Sequence, residues 1–146
     1  MKDISNIFNQ VENQVCWRSW RGAGYTIFLE MGKKFPNRPK EKELKKGEYT
    51  IGLTSCPWHV FQNDVLLFGT DSSYAQIDEA LPILQGKTIE AILLNKDNAT
   101  AQLKLTDSIL IKIGYQDPRD EWCILTPQEE AVITKEKLEI SPAEDQ

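Results

Sequence analysis

The chain has 146 residues, 40% of them hydrophobic and 27% charged, with a formal net charge of −5. That length suits one domain, able to bury roughly 68–70% of its unfolded surface without a disulfide or metal staple. The composition argues against disorder as the default state, and the acidic balance disfavours broad binding to phosphate backbones.

Residues 3 to 16 read as an amphipathic helix that should pack on a sheet: Ile4, Ile7, Phe8, Val11 and Val15 share one face at i, i+3, i+4 spacing, and Asp3 is placed to cap it. No apolar h-region follows Met1, and the longest apolar runs, such as Val65-Leu66-Leu67-Phe68, fall far below the ~20 residues of a spanning helix. The expectation is a cytoplasmic protein outside the membrane. Strand periodicity then takes over in Tyr25–Met31, with Tyr25, Ile27, Leu29 and Met31 on one face. Gly32 should end that strand, and Lys33–Gly47, with seven basic residues against Glu41 and Glu43, reads as a long exposed loop. The rest of the chain must then carry −10. Tyr49–Thr54 is the next strand, interrupted at Cys56-Pro57 because proline cannot donate to a ladder. Trp58–Phe61 and Val65–Thr70 form a hairpin about Gln62-Asn63-Asp64.

Ser73 with Gln76 three residues on is a capping box that opens a helix through Ile77, Leu81 and Leu84. Pro82 should kink or split it and Gly86 end it. Thr88–Leu94, Thr100–Leu105, Ile109–Tyr115 and Trp122–Leu125 are further strands, with a turn at Asn95-Lys96-Asp97-Asn98. Ala131–Ile133 and Leu138–Ile140 close as a terminal hairpin, and 141–146 should form a flexible tail. The sum is an α+β domain over 1–140: an antiparallel sheet or partly open barrel of about 7–9 strands, with an N-terminal and a central helix. The Trp-centred segments around Trp58 and Trp122 echo one another. An internal duplication (17–70 against 86–126) is one account of the echo and coincidence the other.

Cys56-Pro57-Trp58-His59 joins a thiol to the single histidine. A cysteine nucleophile needs its base within hydrogen-bond reach, yet residues three apart on a strand face opposite ways; only a bulge at Pro57 would bring them together. One histidine and three scattered cysteines lack zinc spacing, so no metal or cofactor is expected. The odd, widely spaced Cys16, Cys56 and Cys123 read as buried free thiols of a reducing compartment. Arg21-Gly22-Ala23-Gly24 precedes a strand, whereas a phosphate loop follows one. Trp17-Arg18-Ser19-Trp20-Arg21 combines the residue types of binding hot spots, and the candidate binding set is Trp17, Arg18, Trp20, Arg21, Trp58 and His59.

The strand ending Leu29-Glu30-Met31-Gly32-Lys33, the segment Gly47–Trp58 and the later Leu84-Gln85-Gly86-Lys87 together resemble a pattern in small bacterial proteins, some of them immunity proteins of toxin systems. The resemblance implies a non-enzymatic protein whose acidic body neutralises a basic protein partner, and it carries over no active-site residue. The alternative is a ligand-binding or enzymatic pocket near Cys56 and His59.

Overall fold

The computed structural model describes residues 4–95, 97, 98 and 100–143. Among them are eleven strands in two antiparallel sheets. One sheet is built from β1 (Cys16–Arg21), β2 (Ile27–Pro36), β3 (Leu44–Ser55), β9 (Glu121–Leu125), β10 (Glu129–Thr134) and β11 (Leu138–Pro142), hydrogen-bonded in that order. The other runs β5 (Val65–Gly69), β4 (Trp58–Gln62), β8 (Ile109–Ile113), β7 (Ala101–Leu105), β6 (Ile89–Leu94). The count exceeds the 7–9 strands expected, and Cys16–Arg21, to which the sequence pattern assigns no strand, pairs along β2 as β1.

Local chemistry sets the hairpins. Asn63 and Asp64 (φ +50° and +64°) and Asp107 and Ser108 (φ +63° and +59°) are left-handed pairs, the geometry of two-residue turns whose twist matches the flanking strands. Alternation then sends Ile27, Leu29, Met31, Ile51, Leu53, Trp122, Ile124 and Ile133 inward from the larger sheet. Trp58, Val60, Leu103, Leu105, Ile109, Ile111 and Ile113 face inward from the smaller one. Helix α1 (Ile4–Val11) buries Ile7, Phe8 and Val11, with Phe8 stacked on Trp122 at 6.4 Å. Asn13 has φ +72°, so the helix ends well before residue 16 and Val15 is exposed, not on its buried face. Asp3, its expected cap, lies outside the described residues.

The sheets meet in two places. Chain continuity through Cys56-Pro57 carries β3 into β4, so the proline marks a passage between sheets where no ladder bond is needed. At the other corner, four backbone bonds (Asn13 N–H to Ile89 O, Ile89 N–H to Gln14 O, Cys16 N–H to Lys87 O, Gly86 N–H to Cys16 O, 2.7–2.9 Å) join the start of β1 to the start of β6. The barrel is not closed. Helix α2 (Tyr74–Ala80) carries the full Ser73/Gln76 capping box, and at Pro82 the chain tightens into a 3₁₀ turn (Leu81–Leu84). Ser19 Oγ donates to Leu81 O at 2.8 Å, tying this turn to β1.

Two expectations are corrected. Lys33–Gly47 is largely not a loop: β2 continues to Pro36 and β3 begins at Leu44, so only 37–43 connects them. Alternation is weak there because an arm projecting beyond the sheet has little core to face. Ser141 and Pro142 belong to β11, opposite Glu130 and Glu129, so the flexible tail expected from 141 does not begin there; residues 144–146 of it lie outside the described set, as does Lys96 of the Asn95–Asn98 turn.

Candidate functional site

The arm bends where two glycines permit it. Gly32 has φ +77°, and a Cβ there would stand 2.8 Å from Glu48 Oε1; a Cβ on Gly47 would meet the Met31 backbone at 2.5 Å. The β2–β3 register shifts between Met31 and Lys34. The arm thereby comes over the outer face of the six-stranded sheet, where Phe35, Pro36, Pro39 and Lys46 share a recess of about 600 Å³ with Glu48, Thr50, Leu125, Pro127 and Glu130.

Register organises the floor into two rows. Arg18, Glu30, Thr50, Leu125 and Glu130 are successive cross-strand partners, as are Trp20, Phe28, Gly52, Cys123 and Val132. In the first row Glu30 is buried. Its Oε2 accepts from Trp20 Nε1 at 2.8 Å, and its Oε1 accepts from Thr50 Oγ1 at 2.5 Å and from the Gly47 amide at 3.1 Å. One carboxylate thus fixes an aromatic side chain of β1, a hydroxyl of β3 and the root of the arm. In the second row Trp20 stacks on Phe28 at 4.5 Å, and Phe28 leans over Gly52, where a Cβ would lie 3.1 Å from its ring. Arg18 lies 4.6 Å over the Trp20 ring and donates to Lys45 O at 2.8 Å, and Lys34 sits 4.9 Å over Trp17. Burial, followed by the nearby Glu130 charge, pushes the Cys123 thiol up to about 11.

Trp17, Arg18 and Trp20 therefore take part in two cation–aromatic pairs at the arm's base, Lys34 on Trp17 and Arg18 on Trp20. Arg21 is drawn away from it. It makes a bidentate pair with Asp78 of α2 (2.7 and 2.9 Å), donates to Gly24 O at 3.0 Å, and lies 4.8 Å over Tyr74. The guanidinium hydrogen bond holds the Asp78 carboxyl below its ordinary range. Trp58 is a core residue: fully buried, it donates to Tyr25 O at 2.9 Å and meets Phe68 edge-on.

Cys56 and His59 line different recesses. Cys56 shares one of about 450 Å³ with Tyr25, Asp71 and Asp120, while His59 shares one of about 380 Å³ with Gln102, Lys112 and Tyr115. His59 Nε2 lies 2.9 Å from Asp71 Oδ2, a rim pair whose carboxylate is 86% exposed. Burial pushes the Cys56 thiol up to about 12, so it stays protonated where a nucleophile would need a thiolate. Among the described residues, no group of three His, Cys, Asp or Glu side chains is placed to hold a metal, and no helix is long and apolar enough to cross a membrane.

Sequence reasoning missed Thr50, Phe35, Lys46 and Glu130, and it counted Glu30 only as one of several available carboxylates. A charged residue among the apolar positions of Ile27–Met31 was the available signal, but its significance rests on donors 17 and 20 residues away. Comparison with protein-family models, curated proteins and solved structures gives no match.

Proposed function

We propose that this chain is a non-enzymatic, cytoplasmic binding protein that holds a partner protein on the outer face of its six-stranded sheet, in the manner of an immunity protein. The observation that carries the reading is the recess roofed by the glycine-bent arm, with the Arg18–Trp20 and Lys34–Trp17 pairs at the arm's base. Its apolar walls offer area, and Lys46, Glu48 and Glu130 offer charges of both signs, which suits a protein surface better than bond-making chemistry. Outside 33–47 the chain carries −10, which steers a basic partner, while the arm's lysines meet acids at its margin. Free Cys16, Cys56 and Cys123 suit a reducing compartment.

The test uses the tagged chain as bait in native lysate, with captured protein quantified. The expected result is one stoichiometric partner, lost with Trp20→Ala/Phe35→Ala and kept with Cys56→Ser/His59→Ala. The reverse pattern would move binding to the Cys56/His59 side. Capture of no stoichiometric partner would overturn the reading.

A further inference from the structure

Five separate stretches of chain converge on the recess of about 450 Å³ beside Cys56: the β1–β2 turn, the end of β3, the Cys56-Pro57 crossing, the residues after β5 and the 116–120 turn. Its walls are fixed from behind. Trp58 Nε1 donates to Tyr25 O at 2.9 Å, and Thr26 Oγ1 donates to Thr54 O at 2.9 Å. Asp120 Oδ2 accepts from the Gln116 and Asp117 amides at 2.8 and 3.1 Å, which holds its carboxylate in place.

The lining is rich in acceptors. Asp71 and Asp120 set two carboxylates on it, and none of its residues is Lys or Arg. Among the described residues no Lys or Arg forms an ion pair with either acid: Asp71 faces His59 at the rim, and Arg119 is taken by Asp117. Thr26 commits its hydroxyl proton to Thr54 O, and the hydroxyls of Thr70 and Thr54 turn to Trp58 O and Glu121 O at 3.4 and 3.5 Å, so all three keep oxygen lone pairs for a donor. Tyr25 adds an aromatic ring at the rim. An anion would meet two like charges here. A metal ion would need its oxygen ligands gathered about one point, and no group of three such side chains is placed that way among the described residues. An organic cation spreads its N–H donors over a wider surface.

We propose that this recess binds a small organic cation through its N–H groups, a primary ammonium or guanidinium reaching Asp71 and Asp120 with Tyr25 against its charge. The volume suits a small-molecule site, and the −10 carried outside 33–47 favours entry of a cation.

Agmatine, which carries both groups, is titrated at neutral pH and constant ionic strength into the isotope-labelled full chain, and amide chemical shifts are followed. The expected result is saturable shifts centred on Thr26, Ser55, Asp71 and Asp120. Tetramethylammonium has the charge without the N–H donors, and it should bind at least about tenfold more weakly. Asp120→Asn keeps an oxygen for the Gln116 and Asp117 amides, and Asp71→Asn alters a carboxylate that is 86% exposed, so both should fold as wild type. Each should weaken agmatine about tenfold. If Asp120→Asn disturbs shifts throughout the core, Asp71→Asn alone decides. Shifts that do not saturate, tetramethylammonium binding as well as agmatine, or unchanged affinity in a folded variant would overturn the proposal. The recess shares no residue with the one under the arm, so failure here leaves partner capture by Trp20 and Phe35 untouched.

Discussion

Replacing Glu30 tests whether one buried carboxylate holds the arm in place. In Glu30→Ala, the Gly47 amide and the Thr50 hydroxyl lose their shared acceptor in a buried place, while the partly exposed Trp20 N–H can turn to water. A buried donor left unsatisfied costs about 1–3 kcal/mol, and removing the charge also removes its own desolvation cost. The expected net loss is about 2–4 kcal/mol, or a fall in Tm of about 5–15 °C for a chain this size. Glu30→Gln keeps the shape but can accept at one oxygen only, so either Trp20 or the Gly47/Thr50 pair confronts an NH2 group; about 1–3 kcal/mol should be lost. Urea unfolding followed by tryptophan fluorescence gives the stability, and hydrogen exchange at the Gly47 amide reports the arm. Exchange there should accelerate more than in β4 or β8. A loss under about 1 kcal/mol with Gly47 protection unchanged would show that the carboxylate does not hold the arm.

Three further outcomes follow from the same geometry. Gly47→Ala drives a Cβ to 2.5 Å from the Met31 backbone and should cost about 1–3 kcal/mol while lifting the arm, seen as lost partner capture and altered Tyr49 amide exchange. Burial raises the Cys16 and Cys56 thiols from 9.0 to about 12, so above pH 9 the unfolded chain releases protons that the folded chain retains; stability should fall as pH rises from 9 towards 12, by up to about 1.4 kcal/mol per pH unit per thiol. Cys16→Ala/Cys56→Ala should flatten that slope in pH-dependent urea titrations. Asp78 is held below its ordinary range by Arg21, so the pair is intact at neutral pH and is lost as pH falls below about 4; amide exchange in α2 should then accelerate, and Arg21→Ala should abolish that acid response.

What lay in the residues themselves was local. Asn63-Asp64 and Asp107-Ser108 tolerate the left-handed backbone, so the hairpins were legible; the Ser73/Gln76 box and Pro82 marked where a helix begins and where it tightens; alternation named the inward Ile27, Leu29, Ile111 and Ile113. Each depends on neighbours within a few positions. Cross-strand register does not, and the site is made of register: Arg18, Glu30, Thr50, Leu125 and Glu130 become one row only when five strands align. The arm shows the same division. Gly32 and Gly47 are visible as glycines, but that one needs φ +77° and the other lies against the Met31 backbone was decided by the pairing of β2 with β3. Cys56 and His59 look like partners along the chain and end up lining separate recesses, because the chain changes sheets between them at Pro57. Side-chain type and backbone tolerance are properties of short segments; which groups share a surface is settled by contacts between residues far apart in the chain, and those form only when both sheets close on one core.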